Sequence, residues 1–221
     1  MRSFDEIYQI AADRKGGSDA LEALLSSPLP QAKVAAVPDD RWLSAMAKAL
    51  FQAGFNWKVI KAKWPGTEEA FDGFDPGRVA FYHDEDIDRL LSDTRIVRHG
   101  AKIKAVIDNA HFVQSLRQEH GSAGAFFANW PNDSYVDLLT LLSKRGARLG
   151  GSTGPRVMRM LGRDGFVLSP DVVARLTAEG VIDKAPTSKR ALAQTQEAFN
   201  LWSDQSGRGL TQISQVLAFS V

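Results

Sequence analysis

Apolar residues recur at every third or fourth position along most of this chain, and no stretch alternates convincingly between apolar and polar. That spacing commits the chain to packed helices and makes the expected fold class all-α. The clearest run is Ile103, Val106, Ile107, Ala110, Val113 and Leu116, one face of a long amphipathic helix. Upstream, residues 3–13 and 18–26 read as short helices, followed by a connector at Ser26-Ser27-Pro28-Leu29-Pro30. Asp39 and Asp40 sit at the positive end of a helix carrying Trp42, Leu43, Met46, Leu50 and Phe51. Asn56 is placed to cap a helix from Trp57 to about Lys63, which Pro65-Gly66 is expected to stop. Asp75-Pro76 opens a short helix through Val79 and Phe81, and Asp84 opens another bearing Ile87, Leu90 and Leu91. Further helices fit 133–144, 155–163, 170–179, 187–204 and 209–219.

At 221 residues and 44% hydrophobic content the chain can bury a sizeable core, in one domain or two small lobes. It has no cysteine, which removes disulfides, thiolate metal sites, iron–sulfur clusters and cysteine nucleophiles from consideration. No apolar run is long enough to span a bilayer, and the Met1–Glu6 start lacks the apolar stretch of a secretory signal, so a cytoplasmic protein without membrane attachment is expected. The net charge of +1 conceals an uneven distribution. Residues 95–163 carry 11 Lys/Arg against 4 Asp/Glu, whereas residues 1–94 carry 11 against 16. A basic middle in a neutral chain suits a polyanion-binding face; composition alone leaves ordinary fluctuation of solvated charge equally open.

The segment from Ile87 to Ala110 concentrates the chemistry. Two helices flank a short turn, and the second begins with exposed amide groups that, with the helix dipole, suit one phosphate. Val97, His99 and Gly100 form the turn, while Arg95, Arg98, Lys102 and Lys104 surround it with cations for neighbouring phosphates. Periodicity alone favours a plainer reading, an αα-hairpin with a charged rim. Other signals are weaker. Gly150-Gly151-Ser152-Thr153-Gly154-Pro155 lacks the Gly-Lys-Ser/Thr ending of a phosphate loop, and the four histidines show no paired ligand spacing.

The blocks Gln52-Ala53-Gly54-Phe55-Asn56-Trp57, Phe74-Asp75-Pro76, Val79-Ala80, Ile96-Val97-Arg98-His99, Lys102-Ile103 and Asn109-Ala110 together resemble the DNA-3-methyladenine glycosylase I family. So does Leu142-Ser143-Lys144-Arg145-Gly146, with Gly151 and Thr153 behind it. The resemblance covers residues 40–171. It implies a two-lobed helix-hairpin-helix glycosylase fold over residues 1–221, with the hairpin at about 84–118. The segment 1–38 and the helices of 164–221 would then form the second lobe. It implies hydrolysis of the N-glycosidic bond of an alkylated purine, 3-methyladenine first, by a monomer acting on duplex DNA with a damaged base. The base must be extruded, since the bond is inaccessible inside the duplex. A catalytically silent, lesion-binding relative is the alternative.

The resemblance places Trp57 in the base pocket, where its indole face would stack on the purine and add a cation–π component for a methylated, cationic ring. Phe55 lies beside it, and Lys144 and Arg145 join the DNA contacts. The family's zinc-binding residues are missing: Ile7–Asp13 stands where the N-terminal ligands would be, and Val172 and Leu176 where the later pair would be. No zinc and no cofactor are therefore expected. The family's pocket glutamate and tyrosine fall at Ala49 and Ala11, so Tyr8, Gln52, Asn56 or Tyr82 would have to read the base. Ser169-Pro170-Asp171-Val172 occupies the place where the wider superfamily opens a helix with a catalytic aspartate. Asp171 is thus the candidate catalytic carboxylate, although a serine cap, a proline and an acid in sequence are also ordinary helix-start chemistry.

Overall fold

A computed structural model describes residues 1–221 and contains fourteen α-helices, two 3-10 turns and no strand. The order begins α1 (Phe4–Lys15), α2 (Ser18–Glu22), α3 (Gln31–Ala35), α4 (Asp39–Gln52) and α5 (Trp57–Ala70). After a 3-10 turn at Asp72–Phe74 come α6 (Pro76–Val79), α7 (Asp84–Ser92), α8 (Gly100–His120) and α9 (Ala123–Asn129). A second 3-10 turn at Asn132–Ser134 leads to α10 (Tyr135–Arg145), α11 (Thr153–Met160), α12 (Pro170–Ala178), α13 (Lys189–Ser206) and α14 (Leu210–Phe219). The all-α class follows from the spacing as expected. The helix starts follow from local chemistry: Ser3, Asn56, Asp75, Ser169 and Ser188 each accept a first-turn amide.

The chain divides into two compact units. The first comprises residues 1–29, 130–138 and 162–221, and the second residues 30–129 and 139–161. In the first unit α1 packs on α13 and α14. Its core is aromatic: Phe166 stacks on Phe199 at 4.1 Å between centroids, and buried Trp202 donates its indole N–H to the Arg2 carbonyl. Glu179, with a side chain 1% exposed, is held by Arg2 at 2.8 Å and Arg175 at 3.1 Å. These charge-assisted bonds keep its carboxyl below the usual carboxylate range against the upward push of burial.

In the second unit α4 lies against α8 and α11, and Trp42 meets Phe127 at 4.3 Å. Two departures from expectation stand out here. First, α5 does not stop at Pro65-Gly66 but runs on to Ala70. A proline inside a helix loses one hydrogen bond and crowds the preceding turn, at a cost of about 3 kcal/mol. Tertiary contacts outweigh that cost: Ile60, Thr67 and Ala70 stay on the buried face, and Glu68 accepts from Trp64, Ser44 and Arg41. Gly66 serves packing instead, since a Cβ there would lie 2.8 Å from the Cβ of Arg95. Second, α3 and α9 escape the periodicity, because helices of five and seven residues are too short to show a stripe. The short helix after Asp75 also ends at Val79, leaving Phe81 82% exposed.

The α3–α9 contact depends on Gly124, where a Cβ would approach the carbonyl oxygens of Ala35, Val37 and Val34 at 2.6, 2.8 and 3.0 Å. Gly124→Ala is expected to destabilise the protein by about 1–3 kcal/mol through overpacking against backbone that cannot withdraw. Urea unfolding monitored by tryptophan fluorescence checks this; an unchanged midpoint would mean that α3 shifts freely.

Candidate nucleic-acid interface

The hairpin is built by α7, the loop 93–99 and α8. Asp93 organises the loop: its carboxylate accepts from the Arg95 guanidinium at 2.8 Å and from the Arg95 amide, also at 2.8 Å. These bonds, side chain first, pull the Asp93 carboxyl down to about 2. Ile96 anchors the loop in the core, and half-buried Val97 faces Phe51, Ile60 and Trp64 around a gap too small for water. The side chain of Val97 is therefore a packing group, and its carbonyl accepts from the His99 amide at 3.1 Å. His99 is the extended N-cap residue of α8, and its side chain caps nothing. The first turn holds no acid, and the amides of Gly100 and Ala101 have no acceptor. Twenty-one residues of aligned dipole thus end in bare N–H groups.

The cations expected around this end fall into two groups. Arg98, Lys104 and Lys144 are exposed and unpaired. The side chains of Arg95, Lys102 and Arg145 already have partners within the protein. Arg95 is bound to Asp93 and to Glu69 at 2.9 Å. Arg145 is bound to Glu119 at 2.6 Å and to the Ser115 hydroxyl. Lys102 is 6% exposed, and its ammonium donates to the carbonyls of Leu50 at 2.9 Å and Ala53 at 2.6 Å. It caps the C-terminal end of α4 from the first turn of α8. Burial, and then the charge of Arg148, push its amine below the ordinary lysine value.

The aromatic loop that follows α4 sits on this lysine. Phe55 covers the Lys102 ammonium at 4.4 Å from its centroid and meets His99 edge-on at 6.1 Å. Asn56 is spent on capping α5, accepting from the Lys58 amide at 2.9 Å. Gln52 is 8% exposed, and its Oε1 has no donor. Trp57 is 51% exposed on the first turn of α5, so it is not a core tryptophan. The Arg156 guanidinium lies over its ring, 5.0 Å from the centroid. Nothing in the spacing of the sequence pairs Arg156 with Trp57, since one lies within α11 and the other starts α5.

Gln52, Phe55, Trp57, His99 and Lys102 are thus gathered in the second unit, whereas Tyr8 and Asp171 belong to the first. The Tyr8 hydroxyl donates to Glu22 at 2.7 Å, with Arg208 over its ring at 5.2 Å, so it is committed to a polar cluster of its own. Asp171 is exposed on the first turn of α12, behind Ser169, whose hydroxyl accepts from Val172, and it has no ionic partner.

The second unit thus carries both a bare, cation-rimmed helix end, suited to a phosphate, and an exposed tryptophan. The family model for methyladenine glycosylase matches residues 34–184, and the chain belongs to that family. It is similar to DNA-3-methyladenine glycosylase 1 of Escherichia coli (strain K12), 39% identical over 67 residues, which are 30% of this chain and 36% of that relative. The DNA-3-methyladenine glycosylase of Haemophilus influenzae is 37% identical over 59 residues, 27% of this chain and 32% of the other. The aligned stretch therefore spans about a third of the length of these curated relatives. Among solved structures, 3-methyladenine DNA glycosylase I in complex with 3-methyladenine superposes with a TM-score of 0.51 at 26% identity, covering 57% of this chain and 80% of that one. The Staphylococcus aureus enzyme superposes at 0.52 and 25% identity, over 63% and 80%. No helix of this chain is long and apolar enough to cross a membrane.

Lys102→Met is expected to lower stability by about 2 kcal/mol or more, because the Leu50 and Ala53 carbonyls lose their buried donor. Its salt-dependent DNA affinity, measured below the unfolding temperature, should stay near wild type. A steep loss of affinity in a fully folded variant would return Lys102 to the phosphate contacts.

Proposed function

We propose that this protein is a base-excision glycosylase that hydrolyses the N-glycosidic bond of alkylated purines in duplex DNA, with 3-methyladenine the first base to test. The observation that carries the reading is the exposed Trp57 indole in the same unit as the uncapped start of α8. In this reading the α8 amides take one phosphate, Arg98, Lys104 and Lys144 take its neighbours, and the extruded base stacks on Trp57. Leaving-group chemistry does part of the work: a purine made electron-poor by alkylation departs readily, so the protein need only hold the base out and stabilise a developing oxocarbenium sugar. Asp171, exposed and without an ionic partner in the first unit, is the carboxylate to test for that role. Ala49, where the family resemblance expects an acid, favours a second reading as a lesion-binding protein that does not cut.

Release of free bases from alkylated genomic DNA, resolved by base identity, separates the two readings. Free alkylated purine above the uncatalysed background supports excision, and tight lesion binding without release supports the silent relative. Asp171→Asn in the same assay is expected to slow release while leaving lesion affinity unchanged; equal release would make Asp171 a helix-start residue only. Alanine at Arg98, Lys104 and Lys144 together should flatten the salt dependence of duplex affinity by about 0.9 per lost phosphate contact in a log–log plot. Trp57→Ala should weaken lesion-specific binding by about 1–3 kcal/mol, with undamaged duplex bound nearly as before. An early loss of folding in that variant would make Trp57 structural.

A further inference from the structure

The loop between α10 and α11 holds an arginine in a backbone conformation that arginine seldom adopts. Arg148 has a φ of 57°, in the left-handed region where a Cβ crowds the following carbonyl and glycine is the usual occupant. Both of its neighbours are fixed. Asn109, fully buried on α8, accepts from the Ala147 amide at 2.8 Å and donates to the Ala147 carbonyl at 3.1 Å. Leu149 is buried between two glycines: a Cβ at Gly146 would lie 2.5 Å from its Cδ1, and one at Gly154 would lie 2.7 Å from its carbonyl oxygen. Pinned on either side, the chain has to turn at residue 148. The packing thus imposes the conformation but not the residue type, since glycine or asparagine would make the same turn with less strain. A strained arginine kept in that place points to a use for its side chain.

That side chain is exposed and has no acidic partner. Residues 94–107 and 138–163, which supply the hairpin turn and the loop itself, contain no Asp or Glu. Of the nearby acids on α8, Glu119 is taken by Arg145, and Asp108 makes no ion pair. The clamp also sets where the arginine can reach. Asn109 and Lys102 are seven residues apart, so they share one face of α8, about 10 Å from each other. From a loop fastened at Asn109, a long side chain extends back along this face towards the helix start. The charge of Arg148 is felt there: after burial, it is what lowers the Lys102 amine. Two cations therefore share the end of α8 where the Gly100 and Ala101 amides have no acceptor, and no carboxylate of either segment offsets them. What such an arrangement lacks is an anion.

We infer that Arg148 is a phosphate-binding residue, held out by its pinned loop to take a backbone phosphate next to the one at the α8 amides. The inference rests on the reading of the hairpin as the element that meets duplex DNA, and the test keeps the two apart. Wild type, Arg148→Asn, Arg148→Gly and Arg148→Lys are compared by urea unfolding and by affinity for an undamaged duplex across a salt series. Asparagine and glycine accept the left-handed turn, so both variants should unfold at or above the wild-type urea concentration. They should nevertheless bind duplex about fivefold more weakly at low salt, with a log–log salt slope shallower by about 0.9. Arg148→Lys should keep the wild-type slope. A merely structural arginine gives the opposite pattern, a lower urea midpoint with an unchanged slope. Early unfolding of both the Asn and Gly variants, or an unchanged slope in either one when folded, overturns the role of Arg148; a steep wild-type slope then leaves the hairpin reading standing. A wild-type affinity that does not fall with salt overturns the hairpin reading, and this inference with it.

Discussion

The Lys102 ammonium, seated on the carbonyls of Leu50 and Ala53, holds the second unit's functional parts in one arrangement. A helix C-terminus concentrates partial negative charge on its last carbonyls, and a cation placed there is bound by dipole and hydrogen bond together. Because the cation comes from the first turn of α8, the end of α4 and the start of the hairpin's second helix are tied at one point. Phe55 closes over the same ammonium, so the aromatic loop takes its position from this contact as well. Loss of that one group would loosen an aromatic loop and a helix end together.

The resulting electrostatics serve two ends. Exposed cations without partners, such as Arg98 and Lys104, have the freedom to follow a phosphate backbone. Cations with partners, such as Arg95 and Arg145, shape the protein: Arg95 braces the hairpin loop against Glu69 of α5, and Arg145 ties α10 to Glu119 of α8. Residue type does not separate these groups, and neither does position relative to the turn. Only the placement of the acids does so, and most of those acids are remote in sequence from the cation they hold.

That division marks what could be read before the structure. The helices were legible wherever a buried stripe runs for three turns or more, as in α4 and α8, and wherever a cap is written in the chain, as at Asn56 and Asp75. The path through Pro65 was not, because local breaker chemistry is outweighed there by Glu68 contacts that join residues far apart. Hairpin and tryptophan could be placed from blocks of residues, but the burial of Lys102 could not, since Lys102 and Lys104 look alike on paper and differ only by which side of α8 they occupy. The pairing of Arg156 with Trp57 lies further still from view, brought about by a loop that an asparagine fastens from another helix.

Gly66 has a mechanical meaning beyond its fit. With no side chain there, the hairpin loop at Arg95 rests directly against α5, close enough that a single added carbon would collide. Trp57 begins the same helix, fourteen residues and about 20 Å long. A rod so braced works as a lever: a small displacement of the hairpin loop would be felt at the far end as a change in the tilt of the indole. Movement of the loop and presentation of the aromatic face would then be one motion, and the stiffness of α5, proline included, would set how faithfully the first is translated into the second.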